Sequence, residues 1–285
     1  MTRLVLCLLA LLAGCDMSVP NPRYHLGAPY QVRGNWFYPA ENYGFDETGL
    51  ASVYAPGHAS LTTNGERYDR SVAAIGHPSL QLPAIAKITN LENGLSIVVR
   101  VNDRGEGSPT RFVQVTERLA TLLRMSSPNA TKVRVQLLPA ESKAAVATMP
   151  GAPKLDIAVA PRGAVVADAL PPPGAEVERK TVSSVPAASG DTASATIERL
   201  PETLFQEPVR PTRLWVRLDT FESYRYAEQQ ERKMRYNKTT VEETVENRVR
   251  RFTVKIGPFD TPREADETVR TAFSVGIPDA RIVAE

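Results

Sequence analysis

No aromatic residue stands between Phe112 and Phe205, and that gap decides how the rest of the chain can fold. Aromatic side chains supply the largest single contributions to an apolar core. The stretch that lacks them is dominated by Ala, Pro, Val, Ser and charges, with Pro171-Pro172-Pro173 at its middle. Such a segment cannot bury enough surface to offset its chain entropy. Residues 140–208 therefore read as a disordered, partly polyproline linker, a tether that lets the C-terminal part search away from the N-terminal part. Folded matter is expected on either side, over 47–139 and 209–285. With 285 residues and 42% hydrophobic content, the chain can fill two modest cores.

Charge and cysteines narrow the function classes. The 34 basic side chains barely exceed the 32 acidic ones, a net +2. A nucleic-acid binder shows a basic stripe or a larger excess, so no nucleic-acid partner is expected. Both cysteines, Cys7 and Cys15, lie in the first fifteen residues. The folded part is thus read as having no disulfide, thiol nucleophile or cysteine metal site. Three histidines, His25, His58 and His77, offer little for zinc, and no metal or cofactor is expected.

The first fifteen residues have the form of a targeting segment. A short positive start, Met1 to Arg3, precedes the apolar run Leu4 to Leu12, which is too short to span a bilayer. It ends in Leu12-Ala13-Gly14-Cys15, which resembles the lipobox of bacterial lipoproteins. The resemblance implies cleavage before Cys15 and acylation there. Several acyl chains hold firmly, each buried methylene contributing about 0.8 kcal/mol. The expected location is the cell envelope, lipid-anchored and facing the periplasm. Asp16 follows the cysteine, and the choice between inner and outer membrane stays open.

Residues 16–46, rich in Pro, Gly, Asn and Tyr, read as a leader whose aromatics dock on the next domain. Over 47–139 come short β-like runs at 49–54, 84–89, 96–101 and 132–137, bounded by Gly, Pro and Asn. Asn93-Gly94 between the second and third is a two-residue hairpin signal. One helix is expected over 116–124, with Leu119, Leu122 and Leu123 at helical spacing. Many strands and one small helix suggest a compact β-barrel. In the last segment, 214–218 reads as a strand, 222–234 as a polar helix, and 239–246 as a weak strand. Beyond them come a strand over 250–256, a helix opened by Pro262 and a strand over 280–283. Phe221 and Phe259 end comparable strands, as an internal duplication would.

Three polar clusters stand out in the barrel region: 62–69, His77-Pro78, and Asn102-Asp103-Arg104-Gly105 at the end of a strand. Asp103 taken alone is more commonly the turn aspartate that bonds its own backbone. The order of these clusters carries a resemblance. Gly49-Leu50-Ala51-Ser52-x-Tyr54, Thr63-Asn64-Gly65-Glu66-x-Tyr68-Asp69, His77, Thr89-Asn90-Leu91-x-Asn93-Gly94 and Val99 to Gly105 resemble the rare lipoprotein A family. The last segment looks like its SPOR domain. The fold so implied is β plus α/β: a double-psi β-barrel of the barwin and expansin kind, then a linker, then a ferredoxin-like SPOR domain.

The resemblance also implies a chemistry and a set of residues. Family members are lytic transglycosylases, which cut the bond between N-acetylmuramic acid and N-acetylglucosamine without water. Asp103 matches the catalytic aspartate, and one carboxyl with a raised pKa can give a proton and later take one. Glu66 and His77 match the other implicated polar positions. Tyr54, Asn64, Tyr68, Asn102 and Arg104 are expected to contact substrate in the barrel. Arg217, Arg251 and Lys255 are expected on strand faces of the SPOR-like tail, where they would hold peptide-free glycan. The partners implied are peptidoglycan glycan strands and, through Cys15, a membrane.

Departures from the family pattern keep a second reading open. Val53 stands where the family has Trp, Ala55 where it has Gly, Glu106 where it has Pro, and Gln114 where it has Asp. The loop 55–61 also looks shortened. A non-catalytic glycan-binding septal lipoprotein is the alternative to the enzyme. A purely structural septal lipoprotein, for which the SPOR-like tail alone matters, is a third reading.

Overall fold

The computed structural model describes residues 19–153, 199–234, 238–246 and 248–285. The signal-like segment with Cys15, and the middle of the expected linker, lie outside the described residues. Among the described residues, no helix is long and apolar enough to cross a membrane.

The leader forms a small hairpin, β1 (Tyr30–Val32) with β2 (Asn35–Phe37), turned by Arg33 and Gly34 at positive φ. Tyr30 and Phe37 lie against the next domain, whereas Trp36 and Tyr38 of the same leader are exposed. Tyr30 stacks on Phe37 at 5.4 Å and donates its hydroxyl to the carbonyl of Pro78. Further back, the amides of Asn21 and Arg23 bond the carbonyls of Gly65 and Asn64, and His25 bridges Leu82.

The barrel is built from β3 (Asp46–Val53), β4 (Ala74–Gly76), β5 (Ala84–Asn90), β6 (Leu95–Asp103), β7 (Val113–Val115) and β8 (Thr131–Leu137). Pairing runs β4-β7-β3-β8-β5-β6, and β6 pairs back to β4, so the ring closes on six strands. Two of the pairs, β3 with β7 and β4 with β6, are parallel and the others antiparallel. Alternation explains which side chains fill it. In β8, Val133, Val135 and Leu137 are buried while Lys132, Arg134 and Gln136 are not. Ile75, Leu82, Ile88, Ile97, Val101 and Leu119 complete a core in which each is essentially inaccessible.

Helix α1 (Glu117–Leu122) begins at Thr116, whose hydroxyl caps the amide of Leu119 and also donates to the carbonyl of Val72. The β5–β6 hairpin forms, but its loop has four residues, 91–94, rather than two. Asn93 uses its side chain to hold the carbonyl of Leu123, and Gly94 alone takes positive φ. Strands β1, β2, β4 and β7 have three residues each, too short for a periodic signal.

The expected linker is framed by ordered ends. Helix α2 (Pro139–Ala147) packs on β5, with Ser142 giving its hydroxyl to the carbonyl of Ile85 and accepting from the amide. After the undescribed stretch, the chain returns to the barrel. Strand β9 (Leu204–Gln206) pairs with β6, and Glu207 forms an ion pair with Lys87 at 2.7 Å.

The last domain holds β10 (Leu214–Phe221), α3 (Tyr224–Met234), β11 (Thr239–Glu246), β12 (Val249–Phe259), α4 (Pro262–Ser274) and β13 (Arg281–Ala284). Its antiparallel sheet has the order β11-β12-β10-β13. This is a ferredoxin-like strand-helix-strand doubled, as the pattern predicts. Thr261 caps α4 by accepting from the amide of Glu264, and Ala265, Val269 and Ala272 turn inward onto Val216, Val254 and Ile256.

The tether expectation meets a different arrangement: the two domains are packed together. Leu50 of β3 is fully buried within the core of the last domain. Arg111 forms a two-pronged pair with Asp266 of α4, at 2.7 and 3.0 Å. Glu47 meets Arg281 at 3.1 Å, and the amide of Ala284 donates to Thr48. Outward-facing positions of β3 thus serve a second core, which is why a domain-by-domain reading of the sequence misses the contact.

Candidate active site

Asp103 ends β6, and three donors and one histidine nitrogen converge on its carboxylate. The amide and hydroxyl of Thr63 reach Oδ1 at 2.8 and 2.6 Å. The Tyr54 hydroxyl reaches Oδ2 at 3.1 Å, and His58 Nε2 lies 3.0 Å from the same oxygen. The His58 contact is close but its N–H does not point along the line, so it counts as an ion contact rather than a straight hydrogen bond. The Asp103 side chain is 6% exposed. Gly76 makes room for this cluster, because a Cβ there would collide with the Tyr54 hydroxyl.

Burial alone would raise the pKa of Asp103. The hydroxyl and amide of Thr63, the nearby His58 and the amide of Arg104 outweigh burial and hold it below the ordinary carboxylate value. The expected raised pKa is therefore corrected. A carboxylate already accepting from every side is stabilised in its ionised form, so Asp103 stands as an anion at neutral pH. Tyr54 moves the other way: burial, then the neighbouring Asp103 charge, push its hydroxyl well above the usual value.

The other expected residues separate into three groups. Glu66 is buried, and both of its oxygens are taken: Oε1 by Asn64 and Arg100 at 2.7 Å each, Oε2 by Asn102 at 2.8 Å. Asn64 is fully buried and serves this network from the inside. His77 is brought beside Asp103 only through its backbone, whose amide bonds the Asp103 carbonyl. Its ring packs on Phe45 at 4.8 Å, and Nδ1 accepts the amides of Ser79 and Leu80. Burial, helped by Arg104 and Arg281, lowers its pKa to about 3, so the ring is neutral. Arg104 turns away from the cluster and donates to the carbonyls of His77, Leu80 and Leu26, tying the leader to the barrel.

A cavity of about 650 Å³ opens beside the cluster, lined by Tyr54, Glu66, Tyr68, Asp69, Arg100 and Asn102. Residues 199–202 wall it on one side, where Arg118 pairs with Glu202 and Arg199 with Asp69. Tyr68 lies edge-on to Tyr54 at 5.3 Å and to His58 at 4.5 Å. The tail residues Arg217, Arg251 and Lys255 gather in a separate groove of about 500 Å³ with Thr220, Glu242 and Glu285.

Two features lie outside the expected set. His58 sits in a loop that no pattern marks, and its nearness to Asp103 depends on a contact between distant parts of the chain. Trp36 and Tyr38 of the leader are both more than half exposed, with rings 6.4 Å apart. Their alternate spacing in the leader is the signal the sequence offers for them.

Two of the departures fit one another. Gln114 Oε1 accepts the backbone amide of Glu106 at 2.5 Å, closing the turn after Asp103. Proline at 106 has no amide hydrogen to give. The longer Gln side chain and the restored N–H therefore make one contact between them, and Gln114 remains an acceptor beside the site.

A closed six-stranded mixed barrel carrying a buried, donor-saturated aspartate at the end of one strand defines a double-psi β-barrel with a candidate catalytic centre. Residues 46–137 match the family described as Lytic transglycolase. A Rickettsia felis protein named endolytic peptidoglycan transglycosylase RlpA is 34% identical over 124 residues, covering 42% of this chain and 54% of that protein. Proteins of the same name from Neisseria meningitidis serogroup B and Helicobacter pylori strain 26695 are 33% and 36% identical, over 46% and 39% of this chain and 56% and 36% of their own lengths. The match thus spans about half or less of each of these relatives. The similarity to these proteins is thus carried by the barrel, residues 46–137.

Proposed function

We propose that the chain is an endolytic peptidoglycan lytic transglycosylase, cleaving MurNAc–GlcNAc bonds in peptide-free glycan strands and leaving 1,6-anhydro-MurNAc ends during wall remodelling and division. The observation that carries this reading is the ionised Asp103 carboxylate, held by Thr63, Tyr54 and His58 beside an open cavity in a barrel of this family. Breaking the bond between C1 of MurNAc and O4 of GlcNAc develops positive charge at C1 and the ring oxygen. A preorganised anion lowers the free energy of that charge without any rearrangement at the moment of reaction. The muramic 6-hydroxyl then closes on C1, so no water is consumed. Tyr68 and Asn102 line the cavity where a sugar would lie, and Trp36 and Tyr38 offer flat apolar faces of the kind that sugar rings stack on.

The tail is read as a SPOR domain whose groove of Arg217, Arg251 and Lys255 holds glycan hydroxyls. Acylated Cys15 is read as the anchor that keeps the protein in the envelope, facing the periplasm. A second reading, a non-catalytic glycan-binding lipoprotein, is favoured by Val53 in place of a stacking Trp and by the small exposure of Asp103.

Digestion of peptide-free glycan strands by the detergent-solubilised full-length protein separates the two, with Asp103→Asn beside it and mass spectrometry for 1,6-anhydro ends. The transglycosylase reading expects these ends from the native chain and a loss of at least about 100-fold in the variant. Strand binding by both proteins with no anhydro product from either would leave the binding reading in its place.

A further inference from the structure

Cleavage by this route needs one group that gives a proton to O4 and then takes one from the muramic 6-hydroxyl. Any assignment of that group rests on the transglycosylase reading. The groups around the cluster can be taken in turn. Asp103 already accepts from Thr63 twice, from Tyr54, and lies against His58, with little of its surface open. Glu66 is closed by Asn64, Arg100 and Asn102. Asp69 accepts both the amide and the hydroxyl of Ser71. His77 turns its ring to Phe45 and Phe112 and spends Nδ1 on two backbone amides.

His58 is differently placed. Its ring lies between Tyr54 and Tyr68, 4.5 Å from each, and both tyrosines line the cavity. Its Nε2 is the buried nitrogen, turned to Asp103, and no described residue bonds its Nδ1. Imidazole has two distinct ring nitrogens, so one can give or take a proton while the other keeps its partner. A carboxylate set against one ring nitrogen fixes which nitrogen is free to work and steadies the imidazolium when it forms, a division of labour known from triads.

We propose that His58 is the proton carrier of this site and that Asp103 acts as its orienting and charge-balancing partner. In the first half, the His58 imidazolium gives its Nδ1 proton to O4. The C1–O4 bond breaks, its electron pair stays on O4, and GlcNAc leaves with a hydroxyl. In the second half, the 6-hydroxyl oxygen bonds to C1 and its proton passes to the neutral Nδ1. The imidazolium is restored, so no net proton and no water enter. Asp103 keeps its Nε2 contact throughout and faces the positive charge.

The test measures anhydro-end release from peptide-free strands by the full-length protein carrying His58→Gln and His58→Gly, with and without added imidazole. The proposal expects kcat to fall at least about 100-fold in both with KM within about threefold. It also expects imidazole to restore a measurable part of the rate to His58→Gly and none to Asp103→Asn. A His58→Gln enzyme within about threefold of the native kcat would overturn the proposal while leaving the transglycosylase reading standing. So would a loss that imidazole cannot rescue in a His58→Gly protein with native thermal stability. Failure of the native chain to release anhydro ends would remove the parent reading instead. Should the glycine variant not fold, the His58→Gln rate alone decides.

Discussion

The barrel and the terminal domain treat polar side chains in opposite ways. The barrel buries Asn64, Glu66, His77, Gln81, Asp103, Arg104 and Gln114, and fastens most of them to one another or to backbone. Among the described residues of the terminal domain, only Thr253 and Thr268 are buried polar groups, and the interior is otherwise Leu, Val, Ile, Ala, Met and Phe. A cluster of its charged groups lies on the open sheet face, where Lys255 sits between Glu242 and Glu285. Buried networks are costly when incomplete and rigid when complete. The barrel therefore has the construction of a preorganised reaction site. The terminal sheet instead keeps its interior apolar and turns a charged groove outward.

That contrast can be broken by measurement, and the largest effect is expected inside the barrel. Glu66→Ala strands the Arg100 guanidinium and two amides, and should cost about 3 kcal/mol in urea unfolding. A loss below about 1 kcal/mol would mean that the network is not sustaining the barrel. The next effect comes from His77, neutral in the fold with a pKa of about 3. Its unfolded form takes up a proton near pH 6.5, while the folded form does not. Stability from this group is thus complete above about pH 6.5 and falls as the pH drops toward 3. Between about pH 7.5 and pH 5 the loss should be about 2 kcal/mol. His77→Phe should flatten that slope, and an unchanged slope would assign the acid sensitivity to other groups.

Smaller effects probe the junction and the outer sheet. Arg111→Ala removes a largely shielded fork to Asp266 and should cost about 1 kcal/mol, read as earlier release of the terminal domain in hydrogen exchange. Lys255→Ala should change stability by under about 0.5 kcal/mol, because its partners reach solvent. The same variant should weaken retention on peptide-free glycan several-fold. Loss of stability without loss of retention would reverse the comparison.

Legibility from sequence follows the same division. Strands β5, β6 and β8 can be read because apolar β-formers run over six or more residues between turn residues, cleanly alternating in β8, and the helix after Pro262 because its apolar residues keep helical spacing. Three-residue strands such as β4 and β7 carry no period, and β9 is hidden by its polar, proline-bounded surroundings. Asp103 is found through the order of motifs, since one aspartate in a turn says nothing by itself. His58 escapes for a different reason. Its meaning comes from Tyr54, Tyr68 and Asp103 meeting around it, a property of closure rather than of spacing. The direction of the Asp103 pKa is equally invisible, because Thr63 lies far away along the chain.

The contact between Gln114 and the Glu106 amide has a further consequence, for how such chains change over time. Position by position, each residue looks like decay from the family pattern. As a pair they are one exchange, and the route back is closed in single steps. Glu106→Pro alone would remove the donor, and Gln114→Asp alone would shorten the acceptor. A double-mutant cycle should find the joint reversion milder than the sum of the two. The turn after Asp103 is then held by one contact to which both departures contribute, so neither is understood alone.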